Sequence, residues 1–464
     1  MTTPTSQRLE VVILAAGKGT RMRSALPKVL HRLAGQPLVE HVIHTAQQLG
    51  AESIHVVYGH GGEQVPDTLR HLPVHWARQE PQLGTGHAVQ QAMPAVTGDI
   101  VLVLYGDVPL TRLDTLRPLV AAATGGSLAV LTAMLKDPTG YGRIVRDPSG
   151  RVVRIVEQKD ASAAEKAICE VNTGIMAAPA EKMRGWLAHL RNENAQSEYY
   201  LTDILGMAVN EGETVALAQP MHEWEILGVN SKKQLSELER IHQRNQAERL
   251  MEEGVTLLDP ARLDVRGTLT CGADVTIDVN VVIEGNVTLG HRVKIGPNNV
   301  LRNCSIGDDT EIHPNCVIED SVIGSQCRVG PFARMRPTNR IADHVHIGNF
   351  VEVKNSEVHD GSKMNHLSYI GDTTVGRKVN IGAGTIVCNY DGANKHHTNI
   401  GDNAFIGSNS ALVAPITIGD GATIGAGSVI SKDAPPGELT VARTKQVTIS
   451  GWTRPQKKPK GEVK

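Results

Sequence analysis

The stretch Ala15-Ala16-Gly17-Lys18-Gly19-Thr20-Arg21-Met22 is small, glycine-rich and cationic, and Pro27-Lys28 follows it closely. Without a Cβ at Gly17 and Gly19, backbone N–H groups can approach a phosphate, and the N-terminus of a following helix would add its dipole. Lys18, Arg21 and Lys28 supply mobile positive charge. The chemistry is anion binding, against the plainer alternative of a solvated loop. It is not a Walker A loop, because Gly-Lys-Ser/Thr after four spacers is missing. Nor is it a dinucleotide fingerprint, because Met22 stands where the third glycine belongs. Tyr105-Gly106-Asp107 offers a carboxylate after a second apolar run; in isolation such an Asp is also a common turn or cap residue. A third concentration of polar side chains, Cys388 to Asn399, interrupts a regular repeat, which is where function tends to sit on a regular scaffold.

The elements that must hold these residues differ between the two halves. Leu9–Leu14 reads as a buried strand. Further strands fit 53–58 and 99–104, with helices around 37–49, 84–93 and 112–123. This alternation predicts a mostly parallel α/β sheet, and ligands on such sheets sit at the carboxyl ends of strands. Both Ala15–Met22 and Tyr105–Asp107 directly follow a strand, so both should face one crevice. From Asn230 to Glu253 the pattern becomes one long helix, with Ser231-Lys232-Lys233-Gln234 as a capping box and Gly254 as a stop.

Beyond about residue 255 an aliphatic residue recurs every six, as in Leu289, Ile295, Leu301 and, later, Ile400, Ile406, Leu412, Ile418, Ile424 and Ile430. A glycine very often follows. This period predicts a parallel β-helix of about ten coils, one inward side chain per hexad, rather than a sandwich with regular turns. The glycines are expected to open the corners with φ > 0. Five-residue slips such as Leu301 to Ile306 should be tightened corners. The expected limits are 1–232 for the α/β domain, 233–253 for the linker helix and 254–464 for the β-helix.

The 464 residues carry a net charge of −2, so no bulk electrostatic case exists for nucleic acid or a membrane surface. No apolar run is long enough to span a bilayer, and Met1–Glu10 lacks a signal core, so a cytoplasmic location is expected. None of the six cysteines forms C-x-x-C, which suits a reducing compartment. Aromatics are only 3% of the chain, as a thin prism with little room for rings would require. The terminal cations Arg454, Lys457, Lys458, Lys460 and Lys464 form a short basic tail whose expected role is solubility, or contact with an anionic ligand of a neighbouring subunit.

Leu14 to Met22 with Leu26-Pro27-Lys28 resembles the signature of sugar-1-phosphate nucleotidylyltransferases. Gln79 to Ala88 is similar to their base-reading segment. Tyr105-Gly106-Asp107, Tyr141-Gly142-Arg143-Ile144, Glu157, Asn172-Thr173-Gly174 and Gly228-Val229-Asn230 match in order. With the hexads, nearly the whole chain resembles the bifunctional bacterial N-acetylglucosamine-1-phosphate uridylyltransferase/glucosamine-1-phosphate N-acetyltransferases. The resemblance implies a Rossmann-like nucleotidyltransferase domain, a linker helix and a left-handed parallel β-helix acetyltransferase domain, assembled as a homotrimer with shared acetyl sites.

It also implies roles. Leu14, Ala15, Ala16 and Gly17, with Gln79, Gly84 and Thr85, would hold the uridine of UTP, with Tyr105 and Gly106 beside them. Gly142, Glu157 and Asn172 would hold the N-acetylated sugar. Asp107 and Asn230 would bind Mg²⁺, a hard ion suited to a carboxylate and an amide carbonyl. Arg21 and Lys28 would stabilise departing pyrophosphate as a sugar-1-phosphate oxygen attacks the α-phosphorus. In the second half Arg336 and Lys354 would bind the phosphate of glucosamine-1-phosphate, and Tyr369 and Asn380 its sugar. His366 would be the general base, oriented by Glu352 if the coils bring the two together. Ala383, Asn389, Tyr390, Ser408, Ala426 and Arg443 would line acetyl-CoA, with Asn389 or Ser408 donating to the oxyanion.

The implied sequence is acetylation to N-acetylglucosamine-1-phosphate, then conversion to UDP-N-acetylglucosamine, a precursor of peptidoglycan and lipopolysaccharide. Two other readings have only one or no reaction: a nucleotidylyltransferase whose β-helix binds a regulator, and an assembly scaffold.

Overall fold

A computed structural model describes residues 7–456, so Lys457, Lys458, Lys460 and Lys464 of the basic tail lie outside the described residues. The chain divides into two compact units. One runs to Arg249 and includes Val265–Gly267; the other comprises Leu250–Asp264 and everything from Thr268.

The first unit is built on one sheet: β1 (Leu9–Leu14), β2 (Ser53–Tyr58), β3 (His75–Arg78), β4 (Ile100–Tyr105), β5 (Leu128–Met134), β6 (Gly142–Arg146), β7 (Val152–Val156), β8 (Glu170–Pro179) and β9 (Val215–Ala218). The main path is β9-β5-β8-β4-β1-β2-β3, and β6 pairs with β8 and β7. β1 pairs in parallel with both β2 and β4, in the register Leu14↔Val57 and Leu14↔Tyr105. All six residues of β1 are buried, as a strand covered on both faces requires. The glycine loop and Gly106-Asp107 therefore leave neighbouring strands at the same edge. Helices α1 (Leu38–Gln48), α2 (Thr85–Ala92) and α3 (Leu113–Thr124) fall where periodicity placed them. Helix α4 covers Lys232–Glu252. Its start is closed by Ser231 Oγ, which accepts from the Gln234 N–H, while Gln234 Oε1 accepts from the Asn230 N–H.

The second unit is a stack of short parallel strands. Ile277, Ile295, Ile312, Val329, Ile347, Met364, Ile381, Ile406 and Ile424 lie one above another. Each is 3% exposed or less. Met335 and Met364 complete the inner columns where the Ile/Leu/Val pattern thins out. The step from Ile381 to Ile406 carries the insert, and the coil closes again above it.

The glycines have a different purpose from the one expected. Gly330 excepted, those following the inner aliphatic residue do not have positive φ. The positive-φ corners are taken by Asn298, Asp309, Asn315, Asp320 and similar residues instead. The glycines are needed because coils touch there: a Cβ on Gly307 would lie 2.6 Å from the Gly324 carbonyl carbon and 2.7 Å from the Ser325 nitrogen. Gly307→Ala should therefore destabilise the second unit by about 1–3 kcal/mol through overpacking. Thermal unfolding of the full chain checks this, and an unchanged melt would contradict close coil contact.

Candidate active sites

The first site is a cleft of about 490 Å³ at the carboxyl ends of β1 and β4. Leu14, Ala15, Ala16 and Gly17 form one wall, Gln79, Gly84 and Thr85 another, and Lys28, Tyr105 and Asp107 the floor. A Cβ on Gly17 would meet nothing within 4 Å, so its backbone faces open space. Gly19 has φ 57, and a Cβ there would lie 2.7 Å from Lys28 Cβ, so glycine is what lets Lys28 pass beneath the loop. Gly84 has φ 111 and lies against the Tyr199 carbonyl; Gly86 N–H donates to that carbonyl at 2.8 Å. Gln79 Nε2 donates to the Gly84 carbonyl at 3.0 Å, which joins the residues of that wall into one unit.

Lys28 Nζ reaches Asp107 Oδ2 at 2.5 Å and Asn230 Oδ1 at 3.1 Å. Three segments far apart in sequence thus converge on one cation. Val229 N–H donates to the Asp107 carbonyl, and Gly106 N–H to that of Leu14, which fixes both oxygen donors relative to β1. The Lys28 and Asp107 side chains are each only 14% exposed. A carboxylate and an amide carbonyl that meet on an ammonium have the donor set a hard cation takes, so the residues fit Mg²⁺.

Gly142, Glu157 and Asn172 meet at the β6–β7 hairpin, where Asn172 pairs with Gly142. A Cβ on Gly142 would lie 3.4 Å from Glu157 Oε1. Thr202 Oγ1 donates to the same oxygen at 3.1 Å. Burial raises the Glu157 carboxyl; the Thr202 bond opposes this, while the Asp203 and Asp160 charges add to it. The Tyr105 phenol is also pushed up, by burial first and then by Glu157 and Asp107. Arg21 is the expected residue not drawn in: it is exposed, and has no hydrogen bond or ion pair among the described residues.

On the second unit, His366 stands one coil above Asn349, and its Nδ1 lies 3.0 Å from Asn349 Oδ1. An amide oxygen accepts only, so Nδ1 is the donor, and in the neutral ring that leaves the lone pair on Nε2. Glu352 does not orient His366. It is in register with Tyr369 and accepts from Arg336 Nη1 at 3.0 Å, because the coil repeat stacks residue 366 over 349 and residue 369 over 352.

Lys354 has its ammonium pKa lowered, first by contact with Lys395 and then by desolvation, the Lys395 charge and Arg336. Cations crowded in this way suit an anion. Lys395 was missed in the sequence because nothing in the spacing ties the insert to Lys354. Asn380 is half-buried, between Lys363 and Phe405 in register.

Ala383, Ser408 and Ala426 each follow an Ile-Gly pair on successive coils, which leaves a column of small side chains. Arg443 Nη1 donates to the Ala426 carbonyl at 2.8 Å. Tyr390 projects from the insert, 60% exposed, and its hydroxyl donates to the Gly392 carbonyl. Asn389 is buried and donates to Tyr369 Oη at 3.3 Å and to Asp372 Oδ2.

A MobA-like NTP transferase domain model matches residues 11–257. A GMPPB C-terminal domain model matches 265–339, and a bacterial transferase hexapeptide model of six repeats matches 397–432. The bifunctional protein GlmU of Aromatoleum aromaticum is 62% identical over 98% of this chain and 100% of its own length. That of Azoarcus sp. is 61% identical over 97% of this chain and all of its own. The chain belongs to the bifunctional GlmU family. It is accordingly an acetyltransferase and a uridylyltransferase that makes UDP-N-acetylglucosamine in two steps. Membership in the GlmU family removes the regulator-binding and scaffold readings of the β-helix. Among the described residues no helix is long and apolar enough to cross a membrane.

Proposed function

We propose that the cleft around Lys28 carries uridylyl transfer and the column around His366 carries acetyl transfer. The observation behind the first assignment is the convergence of Lys28, Asp107 and Asn230. UTP would lie along Leu14–Gly17, its base against Gln79, Gly84 and Thr85, with Tyr105 and Gly106 beneath. The N-acetylated sugar would meet Gly142, Glu157 and Asn172. Asp107 and Asn230 would hold Mg²⁺, whose charge would neutralise phosphate oxygens. The P–O bond from the sugar phosphate forms at the α-phosphorus as the bond to pyrophosphate breaks. Lys28, with Arg21 swinging in from solvent, faces the departing charge.

At the second centre Arg336 and Lys354 hold the phosphate of glucosamine-1-phosphate, while Tyr369 and Asn380 hold its sugar. His366 Nε2 takes the proton from the amino group as nitrogen attacks the thioester carbon; coenzyme A leaves as the thiol. Ala383, Asn389, Tyr390, Ser408, Ala426 and Arg443 receive acetyl-CoA. Both amide hydrogens of Asn389 already have acceptors, so Ser408 is the better donor to the oxyanion. Phe332 and Phe350 stack in the open at 5.2 Å, and Leu367, beside His366, is 62% exposed. Such an apolar edge supports a homotrimer that covers it, with each acetyl site completed by a neighbour. The domain limits 1–232, 233–253 and 254–464, and a cytoplasmic role supplying peptidoglycan and lipopolysaccharide precursors, belong to this reading.

Metal removal tests it. Chelation should abolish pyrophosphate release from UTP and N-acetylglucosamine-1-phosphate but leave thiol release from acetyl-CoA unchanged, and Mg²⁺ should restore the former. Pyrophosphate release that persists without metal would refute the role given to Asp107 and Asn230.

A further inference from the structure

One corner of the β-helix carries a ladder of polar side chains that climbs from coil to coil. Asn303 Nδ2 donates to Asp320 Oδ1 at 3.1 Å, and one coil above Asp320 the Thr338 hydroxyl is shared between the Pro337 carbonyl at 2.7 Å and Asn355 Oδ1 at 3.1 Å. Asn355 Nδ2 donates to Asp372 Oδ1 at 2.6 Å. The ladder ends where the insert breaks the coil: Asn389 Nδ2 donates to the other oxygen, Asp372 Oδ2. Asp372 has φ 50 and is only 8% exposed.

Burial alone would raise the Asp372 carboxyl, but the Asn355 and Asn389 bonds and the charges of Lys354 and Lys395 outweigh it and hold the pKa below the usual range. The group is therefore a carboxylate near neutral pH, and a carboxylate only accepts. Asn389 must turn its NH₂ toward Asp372. Its second N–H then points at Tyr369 Oη, 3.3 Å away. Having accepted there, the Tyr369 hydroxyl must send its own hydrogen elsewhere, and no acceptor for it is found among the described residues. Space for this contact exists because residue 371 is glycine: a Cβ there would collide with the Tyr369 hydroxyl and lie 2.8 Å from Asn389 Nδ2.

We infer that Asp372 is a positioning residue for acetyl transfer, acting through Asn389 to turn the Tyr369 hydroxyl into a hydrogen-bond donor toward the acceptor sugar phosphate. This rests on the placement of that substrate at Tyr369. Asp372→Asn keeps the shape but brings a third NH₂ group into the cluster, so one amide must flip.

The test uses the full chain and reads both KM values of the acetyl reaction. Asp372→Asn should raise KM for glucosamine-1-phosphate roughly tenfold, the worth of one well-made hydrogen bond, and well above any change in KM for acetyl-CoA, with the uridylyl reaction unchanged. Tyr369→Phe should do the same, and the double variant should be no worse than Tyr369→Phe alone. Gly371→Ala, which separates Tyr369 from Asn389 while leaving Asp372 intact, should also raise the acceptor KM. If Asp372→Asn is silent while Tyr369→Phe is not, or if the two losses multiply, the relay is refuted and the substrate placement stands. A silent Tyr369→Phe refutes the placement and the relay together. An equal rise in both KM values makes Asp372 merely structural and overturns the inference.

Discussion

His366→Ala should lower acetyl transfer by roughly 10²–10⁴-fold, the range for loss of a positioned general base, and leave uridylyl transfer at its original rate. The amino group of glucosamine-1-phosphate cannot attack a thioester while it holds its extra proton, so a base must take it. Only one imidazole nitrogen is free to do this. Asn349 Oδ1, at 3.0 Å from Nδ1, commits that nitrogen to donation and, in the neutral ring, leaves the lone pair on Nε2. The partner matters in its own right. Asn349→Ala would let the ring adopt either tautomer and should cost less than removal of His366, with the loss in kcat. Thiol release from acetyl-CoA measures both variants. Wild-type thiol release by His366→Ala would place the base elsewhere.

Lys28→Ala should cost uridylyl transfer roughly 10²–10³-fold in kcat at saturating substrates, comparable to removal of one preorganised charge-stabilising group. The ammonium sits between two oxygens, from Asp107 and Asn230, and beneath a loop that only glycine at 19 allows to pass so close. A planar guanidinium does not fit a point-charge position of this kind, so Lys28→Arg should rescue little. Acetyl transfer in the same chain serves as the folding control. Unchanged pyrophosphate release by Lys28→Ala would remove Lys28 from the chemistry.

Elements whose signal is periodic were legible in the sequence. The hexads announced a β-helix because each coil needs one inward aliphatic residue per face, and the apolar run Leu9–Leu14 announced a central strand because both its faces are covered. The glycines were legible as necessary and misread in purpose: sequence alone does not distinguish a residue that turns the chain from one that lets two coils touch. The pairing of Glu352 with His366 failed for a related reason. Contacts between coils depend on the repeat length, and the distance from 352 to 366 is not one repeat. Lys28 and Asn230 lie 202 residues apart and meet only because β1 and β4 are neighbours in the sheet. Asp372 gave no signal because Asn and Asp occupy several corners of the prism, and only the insert above makes this one different.

The most direct test of two separate reaction centres in one chain is to give purified His366→Ala protein UTP and Mg²⁺ with either of two sugars and record UDP-N-acetylglucosamine. With N-acetylglucosamine-1-phosphate it should form product at the wild-type rate. With glucosamine-1-phosphate and acetyl-CoA it should form almost none. Product from both sugars, or from neither, would contradict the account.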